Sequence, residues 1–448
     1  VKFDFEWQDA PGVRDPVLAA TWARLTLSVD GCLATEAIDL RSSSRRTGVY
    51  GSVFPLAEWL VENWWQILYE PSLSSPLPPG RDASPWMRAW VQRHNLLLAR
   101  DGGALPDLTI VRDGGDIVLQ LTPDPASASY ARVRFVGKGT FREPPEEFEG
   151  AAASFVEAVL ARLEEQLSDS ELVRDLREAW GAIRSSDAEE RELCRSLALM
   201  GVDPYDAEEA TDSLISLVER SLRKLPESLR TDLLEGADSR SFEANLSWVE
   251  EERVGLRADA RGASFPTIEP VSAPTAHETG YLTAQRLRST LLGIPDDQLL
   301  PDLVSPFTDR LGWIAGCSKP GVSRAHLDGR DPLDGIVGLD DATSSIVLIK
   351  SGSRSPAAER FRLARAAFFP ATGNLGVQAR LLTKSAAYPQ RAARAFAAEL
   401  LAPAAALAKR VSGRLNDQDL DELAAEFEVS PLLIEHQVEN HGLGYVGV

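Results

Sequence analysis

The sequence predicts an α+β multidomain protein with an N-terminal mixed α/β domain, a central helical region and a C-terminal domain combining a small sheet with helices. Three observations predict it. At 448 residues the chain exceeds what a single hydrophobic core organises. Residues 1–145 mix strand-like alternation with helical spacing, whereas residues 146–262 carry helical spacing alone. A stretch rich in Pro, Ser, Ala and Thr, residues 263–276, then reads as a linker into residues 277–448.

In the first segment, "ARLTLSVDG", "DIVLQLTP" and "YARVRFVG" have the short alternation of strands bounded by turn residues. Between them, "PLAEWLVENWWQILYEP" sets Leu56, Leu60, Trp64, Ile67 and Leu68 at helical spacing with Pro at both ends, which predicts one amphipathic helix. Seven of the ten tryptophans precede residue 91. With little basic charge beside them, they read as a tryptophan-rich core rather than a stacking platform for bases. "RSSSRR", Arg41 to Arg46, reads as a solvated hairpin loop. The central segment, with "EEFEGAAASFVEAVLARLEEQL" and "ATDSLISLVERSLRKL", predicts an acidic helical domain or spacer whose charged faces meet water.

Composition narrows the function classes. A hydrophobic share of 44% fits globular domains, and no apolar run is long enough to cross a bilayer. The start, "VKFDFEWQDA", has no basic region followed by an apolar one. The expectation is a soluble, cytoplasmic protein without membrane contact. A formal charge of -20 argues against broad contact with nucleic acid, because neutralising phosphates takes a surplus of Lys and Arg. Cys32, Cys194 and Cys317 are odd in number and far apart, so they predict neither disulfides nor a thiolate zinc site. The chain has no GxSxG elbow for a serine hydrolase, no GxxxxGK[ST] loop for nucleotide phosphates and no GxGxxG after a strand, and no cofactor is expected.

In the last segment, "GYLTAQRLRSTLLGIP" predicts an amphipathic helix, and "DGIVGLDDATSSIVLIKSG" reads as strand, turn and strand. The next helix is "ERFRLARAAFFPATG", with Ser355 and Pro356 as N-cap and first helical residue, and with Pro370 as its stop. "FAAELLAP", Phe396 to Pro403, and "ELAAEFEVS", Glu422 to Ser430, follow on a final set of helices.

This order resembles the ImmA/IrrE family of bacterial metallopeptidases over residues 277 to 443, which implies a zincin-like fold for the last third of the chain. The family's HExxH helix puts two imidazoles on one face to grip zinc, with the intervening Glu as base toward metal-bound water. Here the lead-in "RFRLARAAFF" places Arg365 at the first histidine, Ala366 at the glutamate and Phe369 at the second histidine. A permanent cation cannot lend zinc a lone pair, a methyl accepts no proton, and a phenyl ring offers only its face. The stretch preceding "FAAELL", "PQRAARA", has Gln390 but no acid for the family's third ligand. Glu399 falls at a structural position of the phrase. The resemblance therefore implies a degenerate domain with no metal and no catalytic residue, whose former active-site positions Arg365, Ala366, Phe369, Gln390 and Glu399 belong to a partner-binding groove.

The remaining histidines add no site. His436 and His441 lie five apart, on different helix faces, and His326 sits among Asp328, Asp331 and Asp334 at a spacing unlike an EF-hand. His94 and His277 have no sequence partner. "EVSPLLIEHQVENHGL" has the outline of a helix-turn-helix, but its second helix offers no Arg or Lys for DNA. The leading expectation is a non-catalytic bacterial regulator or scaffold that recognises a protein, a repressor-like molecule or a defence-system component, in mobile-element control, phage defence or stress response. Two alternatives stand beside it: an enzyme with its site in the N-terminal domain or completed by another chain, and an acidic protein that occupies a nucleic-acid-binding surface of a partner.

Overall fold

The computed structural model describes residues 1–10, 12–73, 85–99, 103–125, 132–167, 170–237, 240–256, 266–269, 271, 273–300, 333–339, 346–350, 355–373 and 379–446. The chain divides into two compact units, Val1–Ile215 and Ser216–Val448.

In the first unit β1 (Lys2–Trp7), β2 (Trp22–Val29), β3 (Cys32–Leu33) and β6 (Val49–Ser52) form an antiparallel sheet around β2. A second sheet joins β4 (Ala37–Asp39) to β5 (Arg45–Arg46) and β9 (Val133–Phe135), and a third runs in the order β10-β8-β7, from Gly139–Glu143, Asp116–Thr122 and Asp107–Asp113. The alternation read in "ARLTLSVDG" is the burial of β2, where Ala23, Leu25, Leu27 and Val29 face inward. The basic loop is a hairpin as expected. The Asp39 carboxylate accepts from the Arg41 and Ser42 amides across it, and these bonds lower its pKa.

The helices of this unit are α1 (Pro16–Ala20), α2 (Phe54–Glu62), α3 (Trp64–Tyr69), α4 (Pro85–His94), α5 (Pro145–Leu167), α6 (Glu171–Ser185) and α7 (Ala188–Leu199). The single helix expected over "PLAEWLVENWWQILYEP" is two. Asn63 breaks it by leaving helical geometry and turning its side-chain amide onto the Trp59 carbonyl. Trp59, Trp64 and Trp65 are buried in the main core and Trp90 in a smaller cluster with Val111 and Val118, whereas Trp86 is exposed, so the tryptophan core expected from composition holds in part.

The change of texture near residue 145 is not where the contacts divide. Phe148, Phe155, Val159 and Leu163 of α5, with Leu176 and Trp180 of α6, share one hydrophobic core with the N-terminal sheets. Long acidic helices bury an apolar stripe, and the sheets supply the face that covers it.

α8 (Asp212–Lys224) carries the chain into the second unit, where α9 (Glu227–Glu235) and α10 (Phe242–Glu252) precede the segment read as a linker. α11 (Ala276–Arg286) opens on a capping box of Thr275 and Glu278 and continues as a π-helix over Leu287–Leu292. β11 (Leu333–Leu339) and β12 (Ile346–Lys350) are antiparallel, as expected, with the turn between them outside the described residues. After α12 (Pro356–Ala371), β13 (Arg380–Thr383) pairs antiparallel with the other side of β11. Among the described residues β12 and β13 are thus the two outer strands of the sheet β12-β11-β13. α13 (Tyr388–Leu401) packs on α11 and α12, and α14 (Ala404–Leu407), α15 (Asp417–Phe427) and α16 (Pro431–Asn440) complete the unit. A short parallel pair, β14 (Arg414–Leu415) and β15 (Tyr445–Val446), ties its end. The α15–α16 turn has Glu428 in the left-handed region and Ser430 as N-cap, and α16 spends Leu433, Ile434 and Val438 on the core.

Candidate functional site

The site is built where α12 and α13 meet β11 and β13. Ser355 caps α12 by accepting from the Ala358 amide, as its sequence predicted, and the helix passes Pro370 to end at Ala371. Pro370 stands in the last turn, where Thr372 closes the helix through the Phe368 carbonyl. The last two turns are buried on nearly every side, from Ala364 to Ala371. An all-round apolar helix belongs inside a domain.

Arg365 is therefore an arginine in a core, 3% exposed, and its guanidinium must be paired to stay there. It donates to Asp334 at 2.6 Å, to the Thr383 carbonyl at 2.6 Å and to Gln390 at 3.2 Å. The pairing of β11 with β13 shifts register between Leu333 and Gly335, and this irregularity is where Asp334 is carried. Such shifts re-aim a side chain that regular alternation would send elsewhere.

Gln390 uses all its amide capacity. Its oxygen accepts from the Thr383 amide at 3.0 Å, and its nitrogen donates to the Leu381 carbonyl at 2.7 Å and to Asp232 at 3.3 Å. Asp232, fully buried on α9, also forms a two-point ion pair with Arg380, at 2.8 Å for each bond, and accepts the Leu381 amide at 3.0 Å. Burial works against the charge of Arg380, but Asp232 outweighs it and raises the pKa. The other face of Arg380 lies 5.0 Å over the Phe369 ring. Arg394, one turn beyond Gln390, donates to the carbonyls of Thr383 and Ser385. Burial and the neighbouring Arg365 and Arg391 cations push its pKa down to about 10.

Of the sequence-derived positions, the structure brings Arg365 and Gln390 into contact and sets Phe369 beside the same network through Arg380. Ala366 is packed in the core. Glu399 is elsewhere: its carboxylate accepts from Gln285, Gln437 and the Ala404 amide, with His441 at 3.4 Å, and so ties α11, α14 and α16 together. None of the five is more than 4% exposed, so they stand inside the domain rather than on an accessible wall. Sequence reasoning passed over Asp232. Its signal was a carboxylate between Leu229 and Leu233 on the apolar face of α9, where a solvated acid has no place. His326, Asp328, Asp331 and Cys317 lie outside the described residues. Among the described residues no three His, Cys, Asp or Glu side chains gather as a metal cage.

Among the described residues, a three-stranded antiparallel sheet with a buried helix locked to it through polar side chains defines a small α+β domain. Residues 339–439 match the family model of the IrrE N-terminal-like domain, Peptidase_M78, which falls within the C-terminal third where the sequence carries its resemblance. The match covers less than a quarter of the chain. No curated protein and no solved structure matches the chain significantly. No described helix is long and apolar enough to cross a membrane.

The first unit holds its own buried polar group. Glu70 accepts from Arg93 at 2.6 and 2.7 Å and lies 3.0 Å from His94, whose other ring nitrogen meets the Ile110 carbonyl at 2.7 Å. Burial opposes the charge on Glu70, and the bonds from Arg93 and His94 more than offset it, leaving its pKa low. Gly201 is required beside this group, since a Cβ there would stand 2.6 Å from Glu70 Oε1 and its φ is +73°.

Proposed function

We propose that this chain is a non-catalytic relative of the zinc peptidases, a regulator or scaffold that recognises a protein partner. The observation that carries the reading is the chemistry at Arg365. Where a zinc ligand would be needed stands a cation whose bonds to Asp334, Thr383 and Gln390 are already made. Phe369 and Ala366 supply neither a second ligand nor a base. The partner is a repressor-like protein or a defence-system component, bound and released intact, in mobile-element control, phage defence or stress response.

The test joins two measurements on the full chain. Protein produced with excess zinc and then dialysed is expected to carry no stoichiometric metal. A partner captured from the native host is expected to keep its original termini after prolonged incubation. Stoichiometric zinc together with new, chelator-sensitive termini would overturn the reading.

A second reading, an enzyme with its site in the N-terminal unit, draws on Asp203 and Glu62. Burial, and then Glu209 and Asp206, raise the pKa of Asp203; burial, and then Asp203, raise that of Glu62. A carboxyl that burial and neighbouring acids hold protonated to higher pH is a candidate general acid. Turnover of any substrate class lost in Asp203→Asn and Glu62→Gln, with the fold intact, would move this reading to the front.

A further inference from the structure

The corner where β13 hands the chain to α13 gathers cations in a protein whose net charge is -20. Two guanidinium groups converge there on one oxygen: the Thr383 carbonyl accepts from Arg365 at 2.6 Å and from Arg394 at 3.4 Å. Arg394 also donates to the Ser385 carbonyl at 2.8 Å, so it grips the turn on either side of Lys384, which is exposed. Arg391 precedes Arg394 by one helical turn of α13, and both are half-buried, whereas Arg365 lies inside the domain.

The charge at Arg394 is not balanced in the way its neighbours' charges are. Asp334 lies 2.6 Å from Arg365, and Asp232 forms two bonds with Arg380. The bonded partners of Arg394 are main-chain carbonyls, which satisfy N–H groups without bringing a negative charge. Burial, and then the Arg365 and Arg391 cations, pull its pKa down to about 10, with Asp334 opposing them. α13 adds to the same field, since it opens without a side-chain cap and without an acid in its first turn. Like charges held together at partial burial repel, and an anion placed among them turns that repulsion into attraction.

We propose that the half-buried edge of Arg394, with Arg391 beside it and the buried Arg365 at its back, is a binding site for a phosphate group, taken as free phosphate or as a small phosphomonoester. A dianion balances both arginines of α13. Its tetrahedral oxygens accept from guanidinium groups that approach from different directions, where a planar carboxylate answers one fork. The site goes beyond the recognition of a protein partner and does not rest on it.

The experiment is titration calorimetry on the full chain at low ionic strength, with inorganic phosphate, glycerol 3-phosphate and acetate as probes. Inorganic phosphate is expected to bind saturably with a dissociation constant of about 1 mM or tighter, and at least about tenfold more tightly than acetate. Arg394→Gln is expected to weaken phosphate by at least about tenfold while the circular dichroism spectrum is kept. Arg391→Gln, at a half-buried position with less to disturb, is expected to act in the same direction and decides the matter if Arg394→Gln fails to fold. Arg223→Gln, at an exposed arginine of α8, is expected to leave the affinity unchanged. Equal affinity for the two phosphates makes the free phosphate group the ligand, and a preference of about tenfold or more for glycerol 3-phosphate makes it a phosphorylated metabolite. Absence of saturable binding, acetate held as tightly as phosphate, or an affinity that neither variant on α13 moves would each overturn the proposal.

Discussion

At the scale of single residues, the C-terminal domain is organised by arginines that cannot lose their charge. Arg365 and Arg380 each sit against one carboxylate, Asp334 and Asp232, in a region where water does not repay an unpaired ion. Arg365→Ala is expected to destabilise the second unit by about 3 kcal/mol, because Asp334 would be left buried without its cation. Arg365→Ala/Asp334→Ala should recover a large part of that loss, and a double-mutant cycle by chemical denaturation measures the coupling. Arg365→Lys should not rescue fully, since one ammonium cannot bond Asp334, Thr383 and Gln390 in the fork that the guanidinium spans.

At the scale of elements, close helix approach decides which glycines matter. α11 crosses α13 at Gly280, where a Cβ would stand 2.7 Å from the Ala395 methyl and 2.7 Å from the Phe396 nitrogen. Gly280→Ala is expected to cost about 1–3 kcal/mol through overpacking, seen as faster hydrogen exchange in both helices. Gly181, within α6, has open space around the same added carbon. Gly181→Ala should therefore stabilise the first unit by about 1 kcal/mol, the helix-propensity difference, measured by its thermal midpoint.

At the scale of the whole molecule, the net charge of -20 and the buried acids set the response to pH. Asp203 has its pKa raised by burial, and then by Glu209 and Asp206, so the folded state holds its proton more tightly than the unfolded chain does. Its effect on stability is absent below the ordinary aspartate value of 3.8, grows as pH rises from there, and is a constant penalty above the raised pKa. Glu70 acts in the opposite sense, adding stability above the ordinary value of 4.5 and losing it as pH falls through its lowered pKa. Asp203→Asn retains the oxygen that accepts the Tyr205 amide and should raise the neutral-pH unfolding midpoint while changing the acid midpoint little. Tryptophan fluorescence is the suitable probe, because eight of the ten tryptophans precede residue 181.

The sequence by itself determined the local elements: the alternation of β2, the N-cap at Ser355, the hairpin at Asp39 and the element order of the segment, residues 339–439, that matches the IrrE N-terminal-like family model. It also determined what Arg365, Ala366 and Phe369 can do, since an arginine, an alanine and a phenylalanine bring the same chemistry wherever they sit. Only the tertiary structure decided where those chemistries are spent. The register shift that carries Asp334 to Arg365, the passage of Asp232 from α9 to Arg380, and the sealing of β13 by side chains from three helices all join residues far apart in the chain. The division at residues 215 and 216 has the same origin. Composition changes where the solvent-facing side of the helices changes, whereas a unit ends where a shared apolar core ends, and that core is assembled from long-range contacts.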